Sequence, residues 1–187
     1  GKIAIDIADP PIRKEIVCAT GQQWIEFRPD ASENIPEDAL PPEGMEARLT
    51  VHVDADHARN KATRRSATGI IMLLNNAPLA RVSKRQKTAE TSARGSELVA
   101  ARMAIDLVIE MRHKLRSLGV KLEEQTMLLG DNVSAALNTT VPSSSLNKKH
   151  LACSHHRTRE AIAGKFVEFG HVASENNFAD TNTKPLG

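Results

Sequence analysis

The chain has 187 residues, 40% of them hydrophobic, which suits one domain with a tail or one medium domain and is enough for a proper core. Its formal net charge of +2 gives no bulk vote for nucleic acid, so such contact has to come from local basic patches. Cys18 and Cys153 stand far apart with no CxxC spacing, and the longest aliphatic run, Ile70 to Leu74, is too short to span a bilayer. These features argue against a disulfide scaffold, a common zinc module and a membrane-spanning helix, and they fit a reducing intracellular setting. With one Trp, four Phe and no Tyr, the core has to be built from Leu, Ile, Val, Ala and Met. No secretory leader is visible, and a start at Gly1 is what a piece of a longer protein would show.

Residues 1–47 are crowded with breakers: Asp9-Pro10-Pro11, Pro29-Asp30, Ile35-Pro36-Glu37-Asp38 and Pro41-Pro42-Glu43-Gly44. Apart from two short apolar pieces, Ile3 to Ile7 and Ile16 to Cys18, this stretch reads as a linker or arm. From residue 48 the signals sharpen. Leu49 to Asp54 alternates as a half-buried strand, and Gly69 to Leu74 is a second strand closed by Asn75-Asn76. Pro78 to Ser83 completes an antiparallel meander. Ala93 to Leu118 is predicted helical, because Leu98, Ala101, Ile105, Val108, Arg112 and Leu115 recur at three- and four-residue steps. Ser92 is placed to cap it and Gly119 to stop it.

Thr126 to Gly130 reads as a short buried strand ending at Asp131, followed by a small helix at Val133 to Leu137 and a loop around Pro142 and Ser143-Ser144-Ser145. His150 to Ala163 is a further helix, Lys165 to Val172 a last strand, and Asn177 to Thr183 the start of a final helix that the chain end cuts short. The order is mixed α/β, compatible with a central sheet covered by helices.

Four acids share an unusual placement: Asp54 after a strand, Glu97 in the first turns of the long helix, Asp131 at a strand end, and Asp180 opening the last helix. Two-metal phosphodiester hydrolysis requires hard oxygen ligands converging from separate elements, with the ions about 3.5–4 Å apart. Taken singly, each acid reads more readily as a solvated surface acid or a helix cap.

The residues around the acids resemble the ribonuclease H domain of copia-type retrotransposon polyproteins. The matching blocks are Val53-Asp54-Ala55-Asp56-His57-Ala58 with Arg64-Arg65-Ser66-Ala67-Thr68-Gly69, then Pro78 through Thr88, then Glu90 through Ala100, then Gly130-Asp131-Asn132-Val133-Ser134-Ala135, and finally Asn176-Asn177-Phe178-Ala179-Asp180 closed by Thr183-Lys184-Pro185-Leu186. They run in order across residues 48–187. The resemblance implies a ribonuclease H-like α/β fold: three antiparallel strands plus two more in one mixed sheet, flanked by helices, with a truncated C-terminal helix. Residues 1–47 would be the connection from an upstream reverse transcriptase.

By the same resemblance, Asp54, Glu97, Asp131 and Asp180 would be the metal ligands and catalytic acids for two Mg²⁺ or Mn²⁺ ions, with Asp56 a near alternative to Asp54. The implied reaction is hydrolysis of the RNA strand of RNA–DNA hybrids, leaving a 3′-hydroxyl and a 5′-phosphate. The implied setting is intracellular, in a cytoplasmic particle or the nucleus. The sequence departs from the pattern at His57, Arg81, Gly95 and Leu98, where many members carry Trp, Trp, Glu and an aromatic residue. These departures keep a catalytically inactive nucleic-acid-binding or connection domain of a decayed element as the alternative.

Several further residues are candidates. His171 precedes the loop to Asp180 and is a candidate for the mobile histidine that assists product release or proton transfer in cellular relatives. Basic clusters at Arg59, Lys61, Arg64 and Arg65, at Lys84, Arg85 and Lys87, and at Lys148 and Lys149 border the acid-bearing strand ends and are expected to meet phosphate. Ser92, Thr88 and Asn132 could add hydrogen bonds to sugar or phosphate, and the hybrid would be read by shape and 2′-hydroxyls. His150, Cys153, His155 and His156 match no common zinc spacing.

Overall fold

The computed structural model describes Trp24 and residues 28–33, 35, 37–58, 60, 62–122, 125–132 and 149–184. The apolar pieces at 3–7 and 16–18, the helix expected at 133–137, the serine loop, and Arg59, Lys61 and Lys148 lie outside these residues.

Seven strands are described: β1 (Glu43–Ala47), β2 (Leu49–Asp56), β3 (Ala67–Leu74), β4 (Ala77–Arg85), β5 (Val120–Leu122), β6 (Thr126–Gly130) and β7 (Val167–His171). The helices are α1 (Ala93–Ser117), α2 (Ala152–Ala163) and the single turn α3 (Asp180–Thr183). Five strands form one sheet in the order β4-β3-β2-β6-β7. The first three are an antiparallel meander, as expected, and the two further strands, β6 and β7, add in parallel. β3 and β4 are joined by Asn75-Asn76 with φ of 48° and 64°. Positive φ at both turn residues matches the right-handed twist of a hairpin, and asparagine tolerates it.

Helix α1 starts where Ser92 accepts a hydrogen bond from the Gly95 amide and ends before Gly119, which takes φ 75°. Its Ala101, Ala104, Ile105 and Val108 are essentially inaccessible and pack in one cluster with Val51, Val53, Ile70 and Leu128. Burying each larger aliphatic here contributes about 1.5–3 kcal/mol. Small alanines on α1 let the helix sit close to the sheet.

Strand β2 is not half-buried, as its alternation suggests, but covered on both faces. The Val51–Val53 side meets the α1 cluster. On the other side, Phe178 lies 4.6 Å from the His52 ring and Thr183 bonds to Asp54. Burial pushes the His52 imidazole down to about 4, against a hydrogen bond with Asn177, so it stays neutral near neutral pH.

Among the described residues ahead of residue 48, several pack onto the domain. Trp24 is buried in the main core and lies under the Arg159 guanidinium, and β1 pairs in parallel with β5. Arg112, which occupies an apolar position in the α1 stripe, is buried because Glu33 meets it bidentately at 2.8 and 2.6 Å. Arg116 also reaches Glu33, at 2.7 Å, and Arg112 donates to Thr126 as well.

Burial opposes the Glu33 charge, but Arg112 and Arg116 outweigh it and hold its pKa below the ordinary carboxylate value. Glu33→Gln should therefore destabilise the domain at neutral pH by about 1 kcal/mol or more, since it removes the charge that both Arg112 and Arg116 pair with. The stabilisation is present above the ordinary glutamate pKa of 4.5 and lost as pH falls through the lowered folded value. Urea denaturation of both proteins across that range should show the gap closing in acid.

Candidate active site at the strand ends

Asp54 enters from β2, Asp131 directly follows β6 beside it, and Glu97 comes from the second turn of α1. One carboxylate oxygen from each lies within 4.8 Å of the others. Asp54 and Glu97 are buried and Asp131 is half-buried. Asp56, the near alternative, is half-exposed and lies outside this group.

Local structure fixes each acid. Glu97 accepts from the Ala55 amide at 3.3 Å. Its neighbour Ser96 is held by a chain running His57 Nδ1 to Ser96 Oγ to Ser66 Oγ, each step 2.8 Å, and Gln86 Nε2 donates to the Ser96 carbonyl and to Thr68 Oγ1. This buried polar chain locks the first turn of α1 against the β2–β3 loop. Asp131 accepts from Ser174 Oγ at 2.7 Å, and His171 Nε2–H donates to the Asp131 carbonyl at 3.1 Å. Asp54 accepts from Thr183 Oγ1. Thr183, Ser174, Ser96 and Gln86 were not among the site residues expected from sequence. Their hydroxyls and amide carry no spacing signal, although Thr183, Ser96 and Gln86 stand inside matching blocks.

Asp180 stands apart from the group of three. It opens α3 and pairs with Lys184 at 2.6 Å, yet its charge acts on Asp54. His171 sits at the end of β7, turned to the Asp131 backbone. Among the histidines near residue 150, His155 is buried, His156 is exposed, and His150 meets the buried carboxylate of Glu90 at 3.2 Å. Cys153 is exposed, the His155 and His156 rings meet edge to face with centroids 5.4 Å apart, and none of these side chains joins a cluster of metal-ligating groups among the described residues.

Sheet register places the basic residues. Asp54, Gly69 and Ser83 form one row, Ala55, Thr68 and Lys84 the next, and Asp56, Ala67 and Arg85 the last. Lys84 and Arg85 thus stand two strands, roughly 10 Å, from the β2 end that carries the acids. Both are exposed, as are Lys87, Arg64, Arg65 and Lys149. Ser92 uses its hydroxyl to cap α1, and Asn132 is half-buried beside Asp131.

The electrostatics are costly. Burial raises the Glu97 carboxyl to about 9, reinforced by the charges of Asp54 and Asp131 and opposed by the Ala55 amide. Burial also raises Asp54; the Thr183 and Ala55 hydrogen bonds oppose it, and the charges of Asp131 and Asp180 add to it. A raised folded pKa means that stability falls as pH climbs from the ordinary value of 4.5 towards 9. Glu97→Gln should therefore raise the metal-free melting temperature at pH 8 and leave it nearly unchanged at pH 4. Scanning calorimetry at the two pH values checks this.

The donor set is all carboxylate, which fits a hard divalent ion such as Mg²⁺ or Mn²⁺. No family model matches the chain. It is similar to the Retrovirus-related Pol polyprotein from transposon RE1 of Arabidopsis thaliana, 29% identical over 138 residues, and to that from transposon RE2 of the same plant, 28% identical over 138 residues. Each match covers 74% of this chain, which spans 9% and 10% of those relatives. Among solved structures, it resembles RNase H1 from Halobacterium salinarum NRC-1 at TM-score 0.53 and 17% identity, covering 72% of this chain and 92% of that one. The N-terminal RNase H domain of rv2228c from Mycobacterium tuberculosis gives TM-score 0.56 at 13% identity, covering 73% and 91%. The ribonuclease H-like fold and the relationship to transposon Pol polyproteins are thus both borne out.

Proposed function

We propose that this chain is the ribonuclease H domain of a retroelement polyprotein and hydrolyses the RNA strand of RNA–DNA hybrids during reverse transcription. The observation that carries this reading is the convergence of Asp54, Glu97 and Asp131, two of them buried, with their oxygens within 4.8 Å. Three acids so placed repel one another and resist burial, and a divalent cation relieves both effects. Like-charge crowding at this cost is characteristic of sites built for chemistry.

In this reading Asp54, Glu97 and Asp131 hold Mg²⁺ or Mn²⁺, and Asp180 completes a second site once Lys184 releases it. Bound there, the ions stabilise charge developing at the scissile phosphate as Lewis acids. The protein's own part is to orient the ligands through Ala55, Ser174 and Thr183 and to keep the site rigid through the Ser96 chain. His171 lies one hydrogen bond from Asp131, close enough to serve proton transfer or product release. Arg64, Arg65, Lys84, Arg85, Lys87, Lys148 and Lys149 meet hybrid phosphates, with Ser92 and Asn132 beside them. Residues 1–47 join the domain to an upstream reverse transcriptase, and the reaction takes place inside the cell. No helix among the described residues is long and apolar enough to cross a membrane.

With Mg²⁺ or Mn²⁺, purified protein should cut a labelled RNA–DNA hybrid and leave duplex DNA intact. Asp131→Asn should abolish cutting while hybrid binding persists. Wild-type protein that binds hybrid under either metal without ever cutting it would instead establish a binding-only domain. Replacing Lys84, Arg85 and Lys87 together by Ala should weaken hybrid binding at all sequences. It should also flatten the salt dependence by roughly 0.7–0.9 for each phosphate that is no longer neutralised. Fluorescence anisotropy over a salt series measures both effects.

A further inference from the structure

The last described turn is built against the acid cluster, not merely near it. α3 has four residues, too few to hold itself together as an isolated helix. It is fixed by side chains reaching the sheet: Asn177 Nδ2 donates to the Val53 carbonyl at 2.9 Å, Asn182 Nδ2 to the Ile70 carbonyl at 3.2 Å, and Ser83 Oγ to the Asn182 carbonyl at 2.7 Å. Gly69, opposite Asp54 in register, makes room for this turn. A Cβ there would lie 2.6 Å from the Ala179 carbonyl oxygen and 2.9 Å from the Thr183 methyl. The approach leaves Thr183 1% exposed with its hydroxyl on Asp54 Oδ2.

Among the described residues that hydroxyl lies near two acceptors, the Asp54 carboxylate and the Asp180 carbonyl at 3.0 Å, and it has one proton to give. The charged oxygen is the stronger acceptor, so the proton goes to Asp54. By holding Oδ2 of Asp54, Thr183 constrains the rotation of a carboxylate that has an oxygen within 4.8 Å of Glu97 and Asp131. We propose that Thr183 is a positioning residue for the metal centre, fixing the rotation of the Asp54 carboxylate so that a single oxygen is presented to a divalent ion. The inference rests on the reading of the three acids as a metal centre.

The test is Mn²⁺ binding to the whole chain without substrate, followed by isothermal titration calorimetry, with folding checked by circular dichroism. Thr183→Val keeps the shape and removes the donor, and Thr183→Ser keeps the donor. Thr183→Val should bind Mn²⁺ about tenfold more weakly than wild type, and Thr183→Ser within about threefold of it, in line with the worth of a hydrogen bond to a charged group. A folded Thr183→Val with wild-type affinity overturns the proposal, and so does a Thr183→Ser as weak as Thr183→Val. If Thr183→Val does not fold, comparison of Thr183→Ala with Thr183→Ser decides in the same way. Asp54→Asn and Asp131→Asn separate the two levels of inference. Wild-type protein that binds no Mn²⁺ removes the metal centre and Thr183's role with it. Binding that these asparagine variants abolish but Thr183→Val keeps removes only the role of Thr183.

Discussion

A carboxylate at the end of the central strand can be buried only if something compensates its charge, and Asp54 is where most of this structure meets that requirement. Its strand lies between β3 and β6, covered by α1 on one face and by the terminal segment on the other. Glu97 and Asp131 crowd the same end and make the deficit larger. The hydrogen bonds from Ala55 and Thr183 reduce it but do not cancel it, because Asp54 and Glu97 still resist ionisation. A fold that concentrates negative charge in this way is primed for a cation, and the parallel β2–β6 pair is what brings two of the three acids side by side.

How much of this could be read from the chain depends on the range of the interaction. Alternation, aliphatic runs and turn pairs marked β2, β3, β4, β6, β7 and α1, because those signals come from neighbours in sequence. β1 and β5 were missed: each is short, and each exists only because the other lies beside it. Arg112 counted toward a helical stripe without a reason for its charge, and that reason, Glu33, lies 79 positions earlier. The same holds for Trp24, whose burial depends on elements that form far along the chain.

The acids show the same division. Motif context singled out Asp54, Glu97 and Asp131, and the fold draws them together. Asp180 has equally clear context, but its geometry is set by Lys184 and by the turn it opens, neither of which spacing describes. Polar residues that orient the acids, such as Ser96, Ser174 and Thr183, carry no pattern of their own. They emerge only once the sheet register is known.

Thr183 and Asp54 are 129 positions apart. During synthesis β2 leaves the ribosome with its charged end uncovered, and it stays uncovered until the chain as far as Thr183 has followed. The sheet and α1 can assemble in that interval, but the carboxylates cannot reach their final arrangement. Maturation of the centre is thus tied to translation of the segment that carries Thr183, and a nascent chain stalled short of that segment would carry an assembled sheet and an unfinished site.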